Sequence, residues 1–223
     1  MISDNNKKYR LSATKLNLLK DCPRCFWLSM VKKINRPTGP ISSIPIKMDS
    51  IIKKYFNKYR ELNELPPIIQ GKIQGRLAIG MPKTLKYEEE NGVLLWGRPD
   101  EYFEIENKNI VAFDHKTKSK APEEVHRSYQ LQLNVYSYLL KMMGYKTTNK
   151  AYLAYYYPDD CELHDGMCIH CAVIEVNTKP SQVKELVKKA YEMLNGPIPK
   201  YSDNCEYCKW REETALFGPL EKN

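Results

Sequence analysis

The amino-acid sequence predicts an α/β fold in which a mixed β-sheet is flanked by helices. Two observations predict it. Apolar residues switch between helical spacing and short strand-like runs, in the order helices, three strands, helix, two strands, helix. The 223 residues, 42% of them hydrophobic, are enough for the core that such a layered arrangement must bury.

The elements follow in chain order. Ser12 is placed to cap a helix starting near Ala13 and carrying Leu16 and Leu19, which Pro23 disturbs or ends. The stretch from Arg36 to Pro45, with Pro37, Pro40, Pro45 and Gly39, reads as a connector, and a second helix is expected from Asp49 until Pro66 and Pro67. Val93 to Trp96, Tyr102 to Ile105 and Ile110 to Phe113 read as the strands of one small sheet, with a hairpin turn at Glu106 to Asn109. After Pro122, Tyr129, Leu133, Tyr136, Leu140 and Met143 recur at helical spacing until Gly144. Ala151 to Tyr157 and Cys171 to Val176 give two more strands, and Ser181 to Leu194 a last helix before Gly196 and Pro197. No internal repeat is visible. The expected organisation is a basic helical arm over 1–47, a core over 48–200 and a cysteine-bearing segment over 201–223 packed on the arm.

The formal net charge of +8 favours contact with a polyanion without singling out nucleic acid. No apolar run approaches the roughly 20 residues that span a bilayer, and the N-terminal residues lack the apolar stretch of a secretory signal, so a soluble cytoplasmic protein is expected. Seven cysteines is an odd number, and their close spacing suits metal ligands or free thiols better than a disulfide framework.

Asp100, in Gly97-Arg98-Pro99-Asp100, and Asp114, in Asp114-His115-Lys116, fall at strand ends on the same hairpin. Two carboxylates converging there can hold a hard divalent cation and leave positions open for water and a phosphate oxygen. Asp114 and Lys116 share one face of an extended chain and His115 points to the other. An ammonium beside the metal site can orient or deprotonate an attacking water and offset charge on a phosphate. A lone Asp-x-Lys is more often an ordinary surface pair; its context matters.

Gly97-Arg98-Pro99-Asp100, then Asp114-His115-Lys116-Thr117, then Gln132-Leu133-Asn134-Val135-Tyr136 together resemble the PD-(D/E)XK nucleases, in particular the RecB-like branch with its CRISPR-associated exonucleases and helicase-linked nucleases. The resemblance is firm from about Gly92 to Gly144 and looser at the ends. It implies a restriction-endonuclease-like fold and a Mg²⁺- or Mn²⁺-dependent deoxyribonuclease. An exonuclease acting on single-stranded DNA or free ends is expected, with a catalytically silent nucleic-acid-binding protein as the alternative. It also implies that Asp100 and Asp114 bind the metal, that the carbonyl of His115 adds a ligand and that Lys116 is catalytic. Gln132 and Tyr136, four apart on one helical face, would position the site or the DNA backbone.

Relatives carry an upstream histidine where this chain has Asp49, which is either a further oxygen ligand or the N-cap of its helix. Cys22-Pro23-Arg24-Cys25 and Cys205-Glu206-Tyr207-Cys208 supply four thiolates, and the alternatives are a zinc site, an iron–sulfur site or buried thiols. The resemblance favours a [4Fe–4S] cluster. Cys161, His164, Cys168, His170 and Cys171 form a second dense group, either a zinc site or residues of a solvent-facing loop. The arm carries Lys7, Lys8, Arg10, Lys15, Lys20, Arg24, Lys32, Lys33 and Arg36. The second helix interleaves Lys53, Lys54, Lys58 and Arg60 with Tyr55, Phe56 and Tyr59, which suits single-stranded DNA or, equally, a lysine face over an aromatic core stripe. Lys53, Lys54 and Arg98 are the leading candidates for contact with nucleic acid.

Overall fold

The computed structural model describes residues 9–40, 42–215 and 218. Its centre is strand β6 (Asn109–Thr117), whose residues from Val111 to His115 are all buried. Alternation sends Val111 and Phe113 to one face and Ala112 to the other, so the strand is apolar on both sides and must be covered twice. Helix α3 (Ser43–Leu62) covers the first face with Ile52 and Phe56, and α4 (Arg127–Met142) covers the second.

The strand belongs to a five-stranded sheet with β2 (Arg76–Leu77), β5 (Glu101–Ile105), β7 (Lys150–Pro158) and β8 (Ile169–Asn177), in the order β2-β5-β6-β7-β8. Within this sheet only β6 and β7 run parallel, joined by the α4 crossover that parallel neighbours require. The turn between β5 and β6 falls at Glu106 to Asn109 as expected, with Asn107 and Lys108 both in the left-handed region that tight hairpins need.

Three sequence expectations are corrected. The strand expected at Val93 to Trp96 forms as β4 (Leu94–Gly97) outside the hairpin's sheet, in a separate three-stranded sheet between β1 (Arg10–Leu11) and β3 (Leu85–Glu88). Strands β1 and β2 are two residues long and carry no periodic signal. Helix α3 begins at Ser43 rather than Asp49, because Pro45 falls in the first turn, where its missing N–H leaves no bond unmade. Asp49 therefore lies in the second turn, and its reading as an N-cap is excluded. Ser12 does stand at the N-cap of α1 (Ala13–Asp21), but only its backbone carbonyl engages the helix, accepting from Leu16 N–H at 2.9 Å.

Helix α4 is buried almost all round, from Leu131 to Leu140, because it lies between the two sheets and also meets α1 and α5 (Ser181–Asn195). Pro23 opens a short helix α2 (Pro23–Trp27), which runs on into a wider turn through Lys32. Helix α6 (Glu206–Ala215) ends the described chain. Leu11, Leu16, Leu19 and Phe26 join the core cluster built around α4. Among the described residues no helix is long and apolar enough to cross a membrane.

Candidate active site and metal centre

The pairing of Glu101 with Phe113 puts Asp100, one residue outside β5, across from Asp114 in β6. Opposed positions on neighbouring strands hold their side chains about 5 Å apart. Asp100 is fixed from two sides: its Oδ2 accepts the main-chain N–H of His115 at 3.0 Å, and its Oδ1 lies 3.2 Å from Lys53 Nζ. Burial raises the Asp100 pKa, but the His115 N–H and the nearby positive charges outweigh it, and the carboxyl ends below its usual range.

Asp114 is almost completely buried and ion-paired to Lys116. Its other oxygen lies 3.4 Å from Gln132 Nε2 on α4. Burial, helped by the charge of Asp100 and opposed by Lys116, pushes the Asp114 carboxyl up to about 6. The two aspartates thus differ in character, Asp100 held below and Asp114 pushed above the usual carboxylate range.

Gln132 also reaches the Tyr136 hydroxyl at 2.8 Å, and that hydroxyl donates to the carbonyl of Arg98 at 3.1 Å. The Gly-Arg-Pro-Asp segment, β6 and α4 are thereby tied into one unit. Gly97 allows it: a Cβ there would stand 2.8 Å from two ring carbons of Tyr136. That close approach is the physical need behind a glycine at this position.

His115 turns its ring away from the aspartates into the α3 face, packed against Phe56 with centroids 4.5 Å apart and 3.2 Å from the Tyr156 hydroxyl through Nδ1. Glu101, equally buried, lies 4.0 Å from its Nε2 and is ion-paired to Arg60. Buried Glu101 and His115 and half-buried Arg60 form a group under the site that the sequence does not single out, although Glu101 directly follows Asp100.

Asp49 does not touch Asp100. Lys53, one helical turn on, bridges them, with its Nζ 2.8 Å from Asp49 and 3.2 Å from Asp100. A cleft of about 660 Å³ opens beside Asp100, lined among others by Lys53, Arg60, Lys83 and Arg98. Lys54 is exposed and does not line it. Beyond Asp114, Tyr129 carries Lys116 and Lys118 over its ring at 4.8 and 5.5 Å. Lys83, Lys118 and Tyr129 were not identified from sequence as contacts, since only the fold brings them to the aspartates.

In α3 the core reading holds for Phe56, which is fully buried, while Tyr55 packs partly against the same cluster and Lys58 lies over Tyr59 at 5.7 Å. Lys7 and Lys8 of the basic arm lie outside the described residues.

The two Cys-x-x-Cys pairs meet. Cys22, Cys25, Cys205 and Cys208 form a cluster whose sulfurs all lie within 4.8 Å of one another. Burial raises the thiols of Cys25 and Cys208; it acts on Cys22 too, but backbone N–H groups of Cys25 and Ser202 outweigh it and lower that thiol to about 7. Among the described residues this is the only group of three or more His, Cys, Asp or Glu whose ligand atoms converge, so the second group does not assemble as one. His170 instead faces Asp159 at 3.0 Å, His164 lies 3.7 Å from Glu162, and Cys171 is buried in the α3-side core. Adjacent residues of β8 point to opposite faces, which separates His170 from Cys171.

A search of curated proteins finds no match. Two solved structures resemble the chain at low identity: SSO0001, at 16% identity and TM-score 0.44, over 97% of this chain and 89% of that one, and LHK-Exo in complex with dAMP, at 10% identity and TM-score 0.41, over 96% of each chain. The family model of the PD-(D/E)XK nuclease superfamily matches residues 47–212, which contain the opposed aspartates, Lys116 and the Gln132–Tyr136 pair. The chain belongs to the PD-(D/E)XK nuclease superfamily.

Proposed function

We propose that this protein is a Mg²⁺- or Mn²⁺-dependent deoxyribonuclease that acts as an exonuclease on single-stranded DNA or free ends. The observation that carries the reading is the convergence of Asp100, Asp114 and Lys116 at one end of the β5–β6 pair, braced by Gln132 and Tyr136. The donor set fits a hard divalent cation, since two opposed carboxylates offer only oxygen, to which the His115 carbonyl and Asp49 would add further oxygen ligands. Such an ion, when bound, would acidify a coordinated water and offset charge on the scissile phosphate.

The chain's own residues do the rest. Lys116 directs its ammonium at the attacking water and at the charge that builds on phosphorus as the new P–O bond forms and the bond to the leaving oxygen breaks. Gln132 holds Asp114, and Tyr136 holds the Arg98 carbonyl, so the two carboxylates keep their spacing. Lys53 lies between Asp49 and Asp100 and offsets their charge, and its ammonium stands at the cleft where a phosphate would lie. The cations of the cleft supply sequence-independent attraction to a phosphate backbone, and Tyr129 offers a ring on which a base can stack.

The test is digestion of single- and double-stranded DNA and RNA, labelled at either end, beside closed circles, with Mg²⁺, Mn²⁺ or EDTA. Stepwise release of nucleotides from labelled linear DNA, with circles untouched, is the expected result. Cutting of circles would replace the exonuclease reading with an endonuclease one, and preference for RNA would replace the substrate.

A further inference from the structure

The thiolate cluster carries a conclusion separate from the nuclease reading. The sulfurs of Cys25 and Cys205 lie 3.6 Å apart, those of Cys25 and Cys208 3.6 Å, and those of Cys22 and Cys208 3.9 Å. A tetrahedron with zinc–sulfur bonds of about 2.3 Å sets its ligands about 3.8 Å apart, the bond length multiplied by the ratio of tetrahedral edge to radius. These three separations, of the six in the cluster, match one ion.

A [4Fe–4S] cluster makes a different demand. Each thiolate bonds a different iron and projects outward from a core of four irons and four sulfides, so the ligand sulfurs must stand apart by the width of that core and more. Four sulfurs within 4.8 Å of one another leave no room for it. The backbone sets each pair close together. Cys22 and Cys25 span the first turn of α2, and Cys205 and Cys208 span a turn closed by the Cys208 N–H on the Cys205 carbonyl at 3.1 Å. Three of the four are buried, and Tyr201 and Leu18 pack against them.

The surroundings suit a closed tetrathiolate. Four thiolates around one divalent ion leave a net charge of about −2, and Arg36 faces it, with Nη2 3.6 Å from Cys205 Sγ and its guanidinium 4.9 Å over the Tyr207 ring. With four protein ligands and no open position, the site has the form of a structural zinc site rather than a catalytic one.

We propose that Cys22, Cys25, Cys205 and Cys208 bind a single tetrahedral Zn²⁺ ion, in place of the [4Fe–4S] cluster that the family resemblance implies. The ion joins α2 to the start of α6, segments far apart in sequence, and so acts as a staple on the fold.

The experiment uses the full chain purified without oxygen. Elemental analysis should find one zinc per chain, with no acid-labile sulfide and a colourless solution. A thiol-reactive mercurial should release that zinc and lower the melting temperature. Cys208→Ser should lose the zinc, whereas Cys161→Ser, outside the cluster, should keep it; if Cys208→Ser does not fold, the mercurial release from the unaltered chain decides. A brown protein with iron and labile sulfide in equal amounts would overturn the proposal, as would one iron per chain, or a metal-free protein with freely reacting thiols. None of these readouts depends on nuclease activity, so the two readings can fail separately.

Discussion

The ring of Tyr136 lies so close to Gly97 that a Cβ on residue 97 would come within 2.8 Å of it. The contact joins the segment that delivers Asp100 to the helix that holds Asp114. The ring is buried and cannot swing aside. Gly97→Ala should therefore destabilise the protein by about 1–3 kcal/mol, the usual cost of overpacking, and slow cleavage by moving Gln132 and Tyr136. Urea denaturation beside a nuclease assay would measure both. An alanine variant with unchanged stability would mean that the ring has room to move.

Arg60 neutralises Glu101, a carboxylate buried under the site beside His115. Removing a single partner strands a charge away from water. Arg60→Met should cost about 3 kcal/mol, and adding Glu101→Gln to that variant should recover part of the loss. Equal stability of the single and double variants would show that Glu101 gains nothing from its partner.

Asp114 should give the protein a pH signature. Its carboxyl, pushed up to about 6 by burial, binds a proton more tightly in the folded chain than in the unfolded one. A raised carboxyl pKa contributes stability at low pH that is lost as pH rises through the folded value. The metal-free protein should thus lose about 2 kcal/mol relative to Asp114→Asn between about pH 4 and pH 7, since each tenfold gain in proton affinity on folding is worth about 1.4 kcal/mol and part of the shift lies below pH 4. Metal binding needs the ionised form, so stabilisation by Mn²⁺ should grow over the same range. Melting curves of both proteins from pH 4 to 8, with and without Mn²⁺, check it; parallel curves would contradict it.

The position of Asp49 changes what its substitutions mean. In the second turn of α3 it caps nothing, and its pair with Lys53 is half exposed on both sides. Asp49→Asn and Asp49→Ala should each shift stability by less than about 1 kcal/mol. If Asp49 lends an oxygen to the metal, activity should nevertheless fall steeply in both, with partial rescue at high Mn²⁺. Unchanged rates would leave Asp100 and Asp114 as the only side-chain ligands.

The parts of the site carried by strand and helix periodicity are legible in the sequence. Asp114 and Lys116 share a face because strands alternate, and Gln132 lies beside Tyr136 because a helix returns every fourth residue to one side. The hairpin registers Asp100 against Asp114 for the same local reason. What depends on distant chain segments is not legible. Strand β1 is two residues that pair only because β4 is there to receive them, and Val93 to Trp96 carry nothing that says which sheet they join. Pro45 looks like a helix stop until its place in the first turn is known. Lys53 reads as a candidate contact to nucleic acid, and only the packing of α3 on the sheet sets it between Asp49 and Asp100.

If Asp100, Asp114 and Lys116 form a metal-dependent phosphodiesterase site, cleavage must need both the ion and the ammonium. The most direct test is the single-turnover cleavage of end-labelled single-stranded DNA by the unaltered chain and by Lys116→Ala, in Mg²⁺ and in EDTA, with DNA binding measured in parallel. The expected result is cleavage in Mg²⁺, none in EDTA, and a loss of at least about 10²-fold in Lys116→Ala with binding retained. Cleavage that persists in EDTA, or that survives the loss of Lys116 near its full rate, would contradict it.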